Sequence, residues 1–278
     1  MFKKILSVAA LLGLVTLTSC EKQEETTNLE GVQAIKVSDF NQHGEIHNAF
    51  LSNAKDNFRI VESVTDEEEK IEIIYEFNKK FAGSLDISTS EKNLLIAHLN
   101  KTKDLVKTDN LSAKCFDNKE TIFTMIQNLR TNGIINNDSY EILNSLSHDV
   151  KANYENRLTD DKLKENVLNL IQKFDNIGYS KNSEGEMVGT ILAISIASLE
   201  WWEENPDAFL YDSNARMIAP LVWADVAGGL LNGGGSVAVQ YGVNERVNWE
   251  IVGWSALLGA VNGSTGMIGK VGRFFSKL

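Results

Sequence analysis

The sequence predicts an all-α protein, a multi-helix bundle followed by one or more glycine-faced helical hairpins at the C-terminus. Three observations carry this. From about residue 35 to 182, apolar residues recur at three-and-four spacing in stretch after stretch, which gives a helix one apolar face. Short polar residues followed three positions later by Glu stand before most of these stripes, as capping boxes do. Only two prolines occur in 278 residues, far below the usual roughly 5%, and no stretch shows convincing strand alternation.

A first helix is expected around His47 to Phe58. Thr65-Asp66-Glu67-Glu68 then opens a helix, with Ile71, Ile74, Phe77 and Phe81 as its stripe and Gly83 as its stop. Ser88 with Glu91 opens another, carrying Leu95, Leu99 and Val106. Asp117 with Glu120 precedes Ile122, Met125, Ile126 and Leu129, and Gly133 closes that segment. Asp138 with Glu141 precedes Ile142, Leu143, Leu146 and Val150. Thr159 caps a helix striped by Leu163, Val167, Leu170, Ile171 and Phe174, with Gly178 after it. The acids at 66–69 and 160–161 suit the positive ends of helix dipoles.

Composition changes near residue 183. All five tryptophans lie between Trp201 and Trp254, and twelve of the twenty glycines lie from Gly228 onward. Ser183 with Glu186 forms another capping-box pattern before Met187–Leu199. That run is apolar on nearly every face, so it should be buried in protein or in lipid, though thirteen residues are short for a membrane span. Pro206 ends it, because the residue before proline resists helical angles. Trp223 to Gly233 resembles Trp254 to Gly263 once one residue is skipped. Gly229 with Gly233, and Gly259 with Gly263, make smooth faces that let another helix approach closely. Residues 226–244 and 251–269 carry no charge, yet their Gly, Ser and Asn make poor membrane spans. Lys270, Arg273 and Lys277, interleaved with Phe274 and Phe275, read as an amphipathic end suited to a membrane surface.

The first residues bear on location. Lys3 and Lys4 precede an apolar run from Ile5 to Leu17, which ends in Leu17-Thr18-Ser19-Cys20. This is the layout of a secretory signal, and the last four residues resemble the lipobox of bacterial lipoproteins. The resemblance implies cleavage after Ser19, acylation of Cys20 and a lipid bilayer as partner. Glu21 to Glu25 look like the acidic export signal of some Gram-negative surface lipoproteins, which implies an outer-membrane, surface-exposed location. Four regions follow: signal peptide 1–19, polar tether 20–34, amphipathic helical domain 35–182, and Trp/Gly-rich helical region 183–278. Loss of residues 1–19 removes two lysines and no acids, taking the formal net charge from −11 to −13. Such a balance argues against nucleic acid, whose binding needs Lys and Arg on phosphates.

The candidate sites are few. Cys115 is a lone thiol once Cys20 is lipidated, and no cysteine-hydrolase motif surrounds it. His43 and His47 have the spacing of two zinc ligands on one helix, but Glu45 falls on the opposite face and no third ligand is evident. Trp201, Trp202, Glu203 and Glu204 combine aromatics with acids, which suits sugar binding or glycoside hydrolysis; the rival is a solvated helix end over a hydrophobic anchor. Asp175 to Glu186 has the length of a calcium loop but not its ligands. With no phosphate loop, dinucleotide fingerprint, nucleophile elbow or spaced Cys/His set, no catalytic residue, metal or cofactor is assigned. The expected function is an envelope-anchored, non-enzymatic interaction or structural lipoprotein with an unidentified protein or membrane partner for its tail. The tail resembles glycine-rich ends of uncharacterised exported bacterial proteins. One alternative is a membrane-active antibacterial effector, since these segments faintly resemble bacteriocin Gly-x-x-x-Gly helices. The other is a sugar binder or hydrolase at the Trp201/Trp202 cluster.

Overall fold

Three helices of this chain begin where a short polar side chain takes up a first-turn amide. A computed structural model describes residues 34–100 except 63, 65, 91, 94, 95, 98 and 99, residues 119–208 except 207, and residues 218–275 except 245. Its helices are α1 (Asn41–Glu62), α2 (Glu67–Ser84), α3 (Lys119–Thr131), α4 (Asn137–Tyr154), α5 (Asp160–Ile177), α6 (Gly185–Glu204), α7 (Ile218–Asn244) and α8 (Trp249–Phe275), with a 3-10 turn over Val37–Phe40 before α1. The all-α class holds, and the described residues contain no strand, only an isolated bridge between Ala34 and Ser180. These helices belong to one compact unit.

Thr159 caps α5 as expected, accepting from the Lys162 amide at 3.3 Å, and Gly178 ends it at φ +74°. Elsewhere the cap lies a residue or two from the expected one. Asp66, with extended backbone angles, accepts from the Glu69 amide in place of Thr65, and Asn136 accepts from Ser139 in place of Asp138. Any short acceptor at the last extended residue serves, so neighbouring Thr/Asp or Asn/Asp candidates are hard to separate by eye. At α6 the Ser183 hydroxyl accepts from Gly185, while Glu186 reaches past Ser183 to the amide of Asn182, a residue with φ +61°. The Ser88 helix lies mostly outside the described residues. So do Asp117 and Cys115.

The stripes of α3, α4 and α5 form the core. Ile122, Ile126, Ile142, Leu143, Leu146, Val150, Leu163, Val167 and Phe174 are all fully buried. Among the described side chains of α2, Tyr75, Asn78 and Ala82 are buried and Phe77 and Phe81 half-buried; Ile71 and Ile74 lie outside them. Burial pushes the Tyr75 phenol well above the usual tyrosine range. The all-round apolar α6 is the central helix, packed by α1, α4, α5, α7 and α8. Gly44 of α1 lets that helix press on α6, since a methyl there would meet Ala193 and Ala197.

The glycine-faced hairpin is closed upon itself. Gly228 of α7 sits against Gly259 of α8, and Gly263 sits against Ala224. The pairing runs in opposite directions, so the two helices are antiparallel. A methyl group at Gly228, Gly259 or Gly263 would land on a backbone carbonyl of the facing helix. Gly229 and Gly233 lie at the seam with α6, facing Ile191 and Met187 as well as Ala256. The glycine that makes the closest backbone contact from α7 is therefore Gly228, one position before the expected Gly229. Among the described residues no helix is long and apolar enough to cross a membrane.

This packing yields a paired test. Gly259→Ala should lower stability by about 1–3 kcal/mol, because the added methyl overpacks the hairpin. Gly235, an exposed helical glycine with open space around it, should behave oppositely. Gly235→Ala should raise stability by up to about 1 kcal/mol through helix propensity. Urea unfolding followed by circular dichroism measures both; equal effects would remove the close-contact account.

Candidate functional site

The two α1 histidines share one helix face, as their spacing predicts, and Glu45 points to solvent. Their side chains find different partners. His47 is fully buried at the junction of four helices. Its Nε2 lies 3.4 Å from Asp225 Oδ2 of α7 and 3.4 Å from Ser264 Oγ of α8. Ser264 donates a short hydrogen bond to Asp225 Oδ1, and Ser198 of α6 donates to Oδ2 at 2.6 Å. Asn48 donates its amide N–H to the Ala197 carbonyl, which turns its own oxygen toward His47 Nδ1 at 3.1 Å. With Nδ1–H donating there, a proton on Nε2 would make the His47–Asp225 contact an ion pair.

The residue types match a hydrolytic triad, but the order does not. The carboxylate, not the imidazole, is the hub, and both serines spend their protons on it. Asp225, His47 and Ser198 have no solvent exposure and Ser264 only 2%, so no substrate reaches them. The cluster acts as a brace, in which a buried carboxylate accepts from serine hydroxyls of α6 and α8 and touches His47 of α1. Sequence reading missed it. The available signal was Asp225 itself, an acid inside an otherwise apolar helix.

One turn earlier, His43 opens onto a cleft of about 520 Å³, within the size range of small-ligand sites. Its walls come from the turn before α1 (Ala34, Ile35, Asp39, Phe40), from α1 (Gln42, His43), from Lys181, Glu186 and Thr190, and from Glu250, Gly253 and Trp254 of α8. The His43 Nδ1 is hydrogen-bonded with the buried Thr190 hydroxyl at 2.9 Å. Its ring stands edge-on to Trp254, with centroids 4.7 Å apart. The rim is fastened where the Ile35 amide donates to the Tyr179 carbonyl at 2.8 Å and the Val37 amide donates to Asp175. Burial pushes the Tyr179 phenol up to about 12, and its hydroxyl meets Ser139 at 2.8 Å.

Glu186 is the distinctive group. Its residue is only 7% exposed, and Oε1 accepts from the Asn182 amide at 2.7 Å. Among the described residues no donor reaches its second oxygen. Glu186 is one of the residues that line the cleft. No three of the described His, Cys, Asp and Glu side chains stand close enough to share a metal ion. That includes His43 and His47.

The Trp201/Trp202 cluster has another character. Both indoles are buried, at 6% and 2% exposure, and they pack edge-to-face on each other with centroids 4.7 Å apart. Trp201 Nε1 donates to Ser52 of α1 at 2.9 Å. Only Glu203 and Glu204 face solvent, and Glu203 pairs with Lys164 of α5 at 2.6 Å, holding that lysine above its usual range. Both rings are taken up in packing rather than presented at the surface. Cys20 lies outside the described residues. No family model, curated protein or solved structure matches this chain.

The brace makes a stability prediction. Asp225→Ala should cost about 3–5 kcal/mol, because it strands His47 and two serine hydroxyls in the interior. Chemical unfolding measures this, and a loss below about 0.5 kcal/mol, typical of a surface change, would show that the carboxylate ties nothing together.

Proposed function

We propose that this protein is an envelope-anchored lipoprotein whose helical body serves in binding or structure rather than in catalysis. The anchor is Cys20, acylated after cleavage at Ser19, with residues 20–34 as the tether between the bilayer and the body. Two or more acyl chains hold a protein stably where one is marginal. The acidic Glu21–Glu25 stretch favours an outer-membrane, surface-exposed placement.

The observation that carries the non-catalytic reading is the burial of His47, Asp225 and Ser264. Among the described residues this set of His, Asp and Ser side chains is sealed in the interior and hydrogen-bonded within itself. The glycine faces point the same way. Gly228, Gly259 and Gly263 are occupied by the facing helix, which favours a structural role for the hairpin over insertion into a target membrane. The burial of Trp201 and Trp202 disfavours sugar stacking on them, and one cleft open to a ligand among the described residues lies at His43 and Glu186.

Labelled palmitate supplied to a bacterial host expressing the full chain should be incorporated, and Cys20→Ala should abolish the label and release the protein from the membrane fraction. Incorporation that survives Cys20→Ala would remove the lipoprotein assignment.

A further inference from the structure

We infer that the cleft between α1, α6 and α8 binds a small organic ammonium ligand, with the Glu186 carboxylate as its principal partner. The inference rests on the reading of the body as a binding module and gives that module a ligand class.

The argument starts from one atom. Glu186 is more than nine-tenths buried and lines the cleft, yet its Oε2 has no hydrogen-bond donor among the described residues. A carboxylate oxygen only accepts hydrogen bonds, so its occupant must bring an N–H or O–H. A charged donor makes a hydrogen bond roughly twice as strong as a neutral one.

The surroundings favour the charged donor. Three carboxylates line the cleft, Asp39, Glu186 and Glu250, against one ammonium, the exposed Lys181. The first turns of α6 and α8 also lie here, and their partial positive charge is offset by the carboxylate each carries, Glu186 and Glu250. The chain as a whole is acidic, at −11, which raises the local concentration of cations. Trp254, itself mostly buried, and His43 also line the cleft in edge contact, and indole is the aromatic group that best tolerates a neighbouring cation.

A bare metal ion does not fit, because the described carboxylates and histidines do not cluster around a common point. A ligand with several atoms can instead span from Glu186 toward the outer acids and lie along the aromatic wall. The volume of about 520 Å³ suits a molecule of that size.

Cadaverine, its diol analogue and glutarate have the same carbon length and differ in the charge of their ends. Isothermal titration of each into the full-length chain in detergent, at physiological salt, separates the ligand classes. Cadaverine should bind, and the diol and glutarate should not. Glu186→Gln keeps an oxygen for the Asn182 amide, so the fold should survive with unchanged Tm while cadaverine affinity falls about tenfold or more. Glu204→Gln, which removes an equal charge from the exposed end of α6, should leave affinity unchanged. Equal losses in the two variants would reduce the effect to bulk charge and overturn the site. Glu186-dependent binding of the diol or glutarate would overturn the ligand class while keeping the cleft as a binding site. No binding of any probe to the folded wild-type chain would overturn the cleft itself, and leave the Cys20 anchor standing on its own test.

Discussion

The close backbone approach of α7 to α8 is the constraint on which the rest of the structure depends. Gly228, Gly259 and Gly263 remove the side chains that would hold the two helices apart, and carbonyls of one helix come to rest against the α-carbons of the other. Each helical glycine costs roughly 1 kcal/mol relative to alanine, so the packing of one backbone on the other must outweigh several such penalties. The approach also sets the reach of the neighbouring side chains. Ala224 and Gly263 touch, and the next residue on each helix is Asp225 and Ser264. Both are short side chains, and they meet only because their backbones are already close. The brace is thus a consequence of the glycine contact, completed by a longer side chain, His47, from α1.

A single central helix follows from the same geometry. With α7 and α8 drawn together, their shared seam presents Gly229, Gly233 and Ala256 to Met187 and Ile191 of α6. α6 must then be apolar on nearly all sides, and it is. Its far face receives α1 at Gly44, where a second small residue allows a second close crossing. The amphipathic helices α3, α4 and α5 need only one apolar face because they cover this interior from outside.

The sequence was legible where one rule acts alone. The stripes of α3, α4 and α5 obey helical period, and their fully buried residues are the ones that periodicity picks out. The all-round apolar run at Met187–Leu199 likewise announced a buried helix. Legibility fell where two local solutions compete, as between Thr65 and Asp66 for one cap. It failed where the deciding partner is far along the chain. Trp201 and Trp202 stand next to Glu203 and Glu204, and those sequence neighbours lent them a mixed polar character. Their burial is decided by Ser52 and the covering helices. Likewise, His47 and Asp225 are separated by 178 positions, and no spacing rule connects them. The cleft was invisible for the same reason, being assembled from the start of α1, the start of α6 and the start of α8.

Brace and cleft are also linked through α1. His43 and His47 lie one turn apart, a rise of about 6 Å, and over that turn the same helix face passes from an open cleft to a sealed interior. Gly44 lies between them and locks the turn onto α6. The wall of the cleft is therefore carried on the most constrained segment of the helix, and His43 is further held by Thr190. A site of this kind has its first contacts fixed before a ligand arrives, because the supporting residues are already packed and hydrogen-bonded. Glu186 has the same character, with one oxygen committed to the Asn182 turn and the other presented by that commitment. The fold thus holds one acceptor in a cleft whose wall at His43 and Thr190 is packed and hydrogen-bonded for reasons unrelated to a ligand.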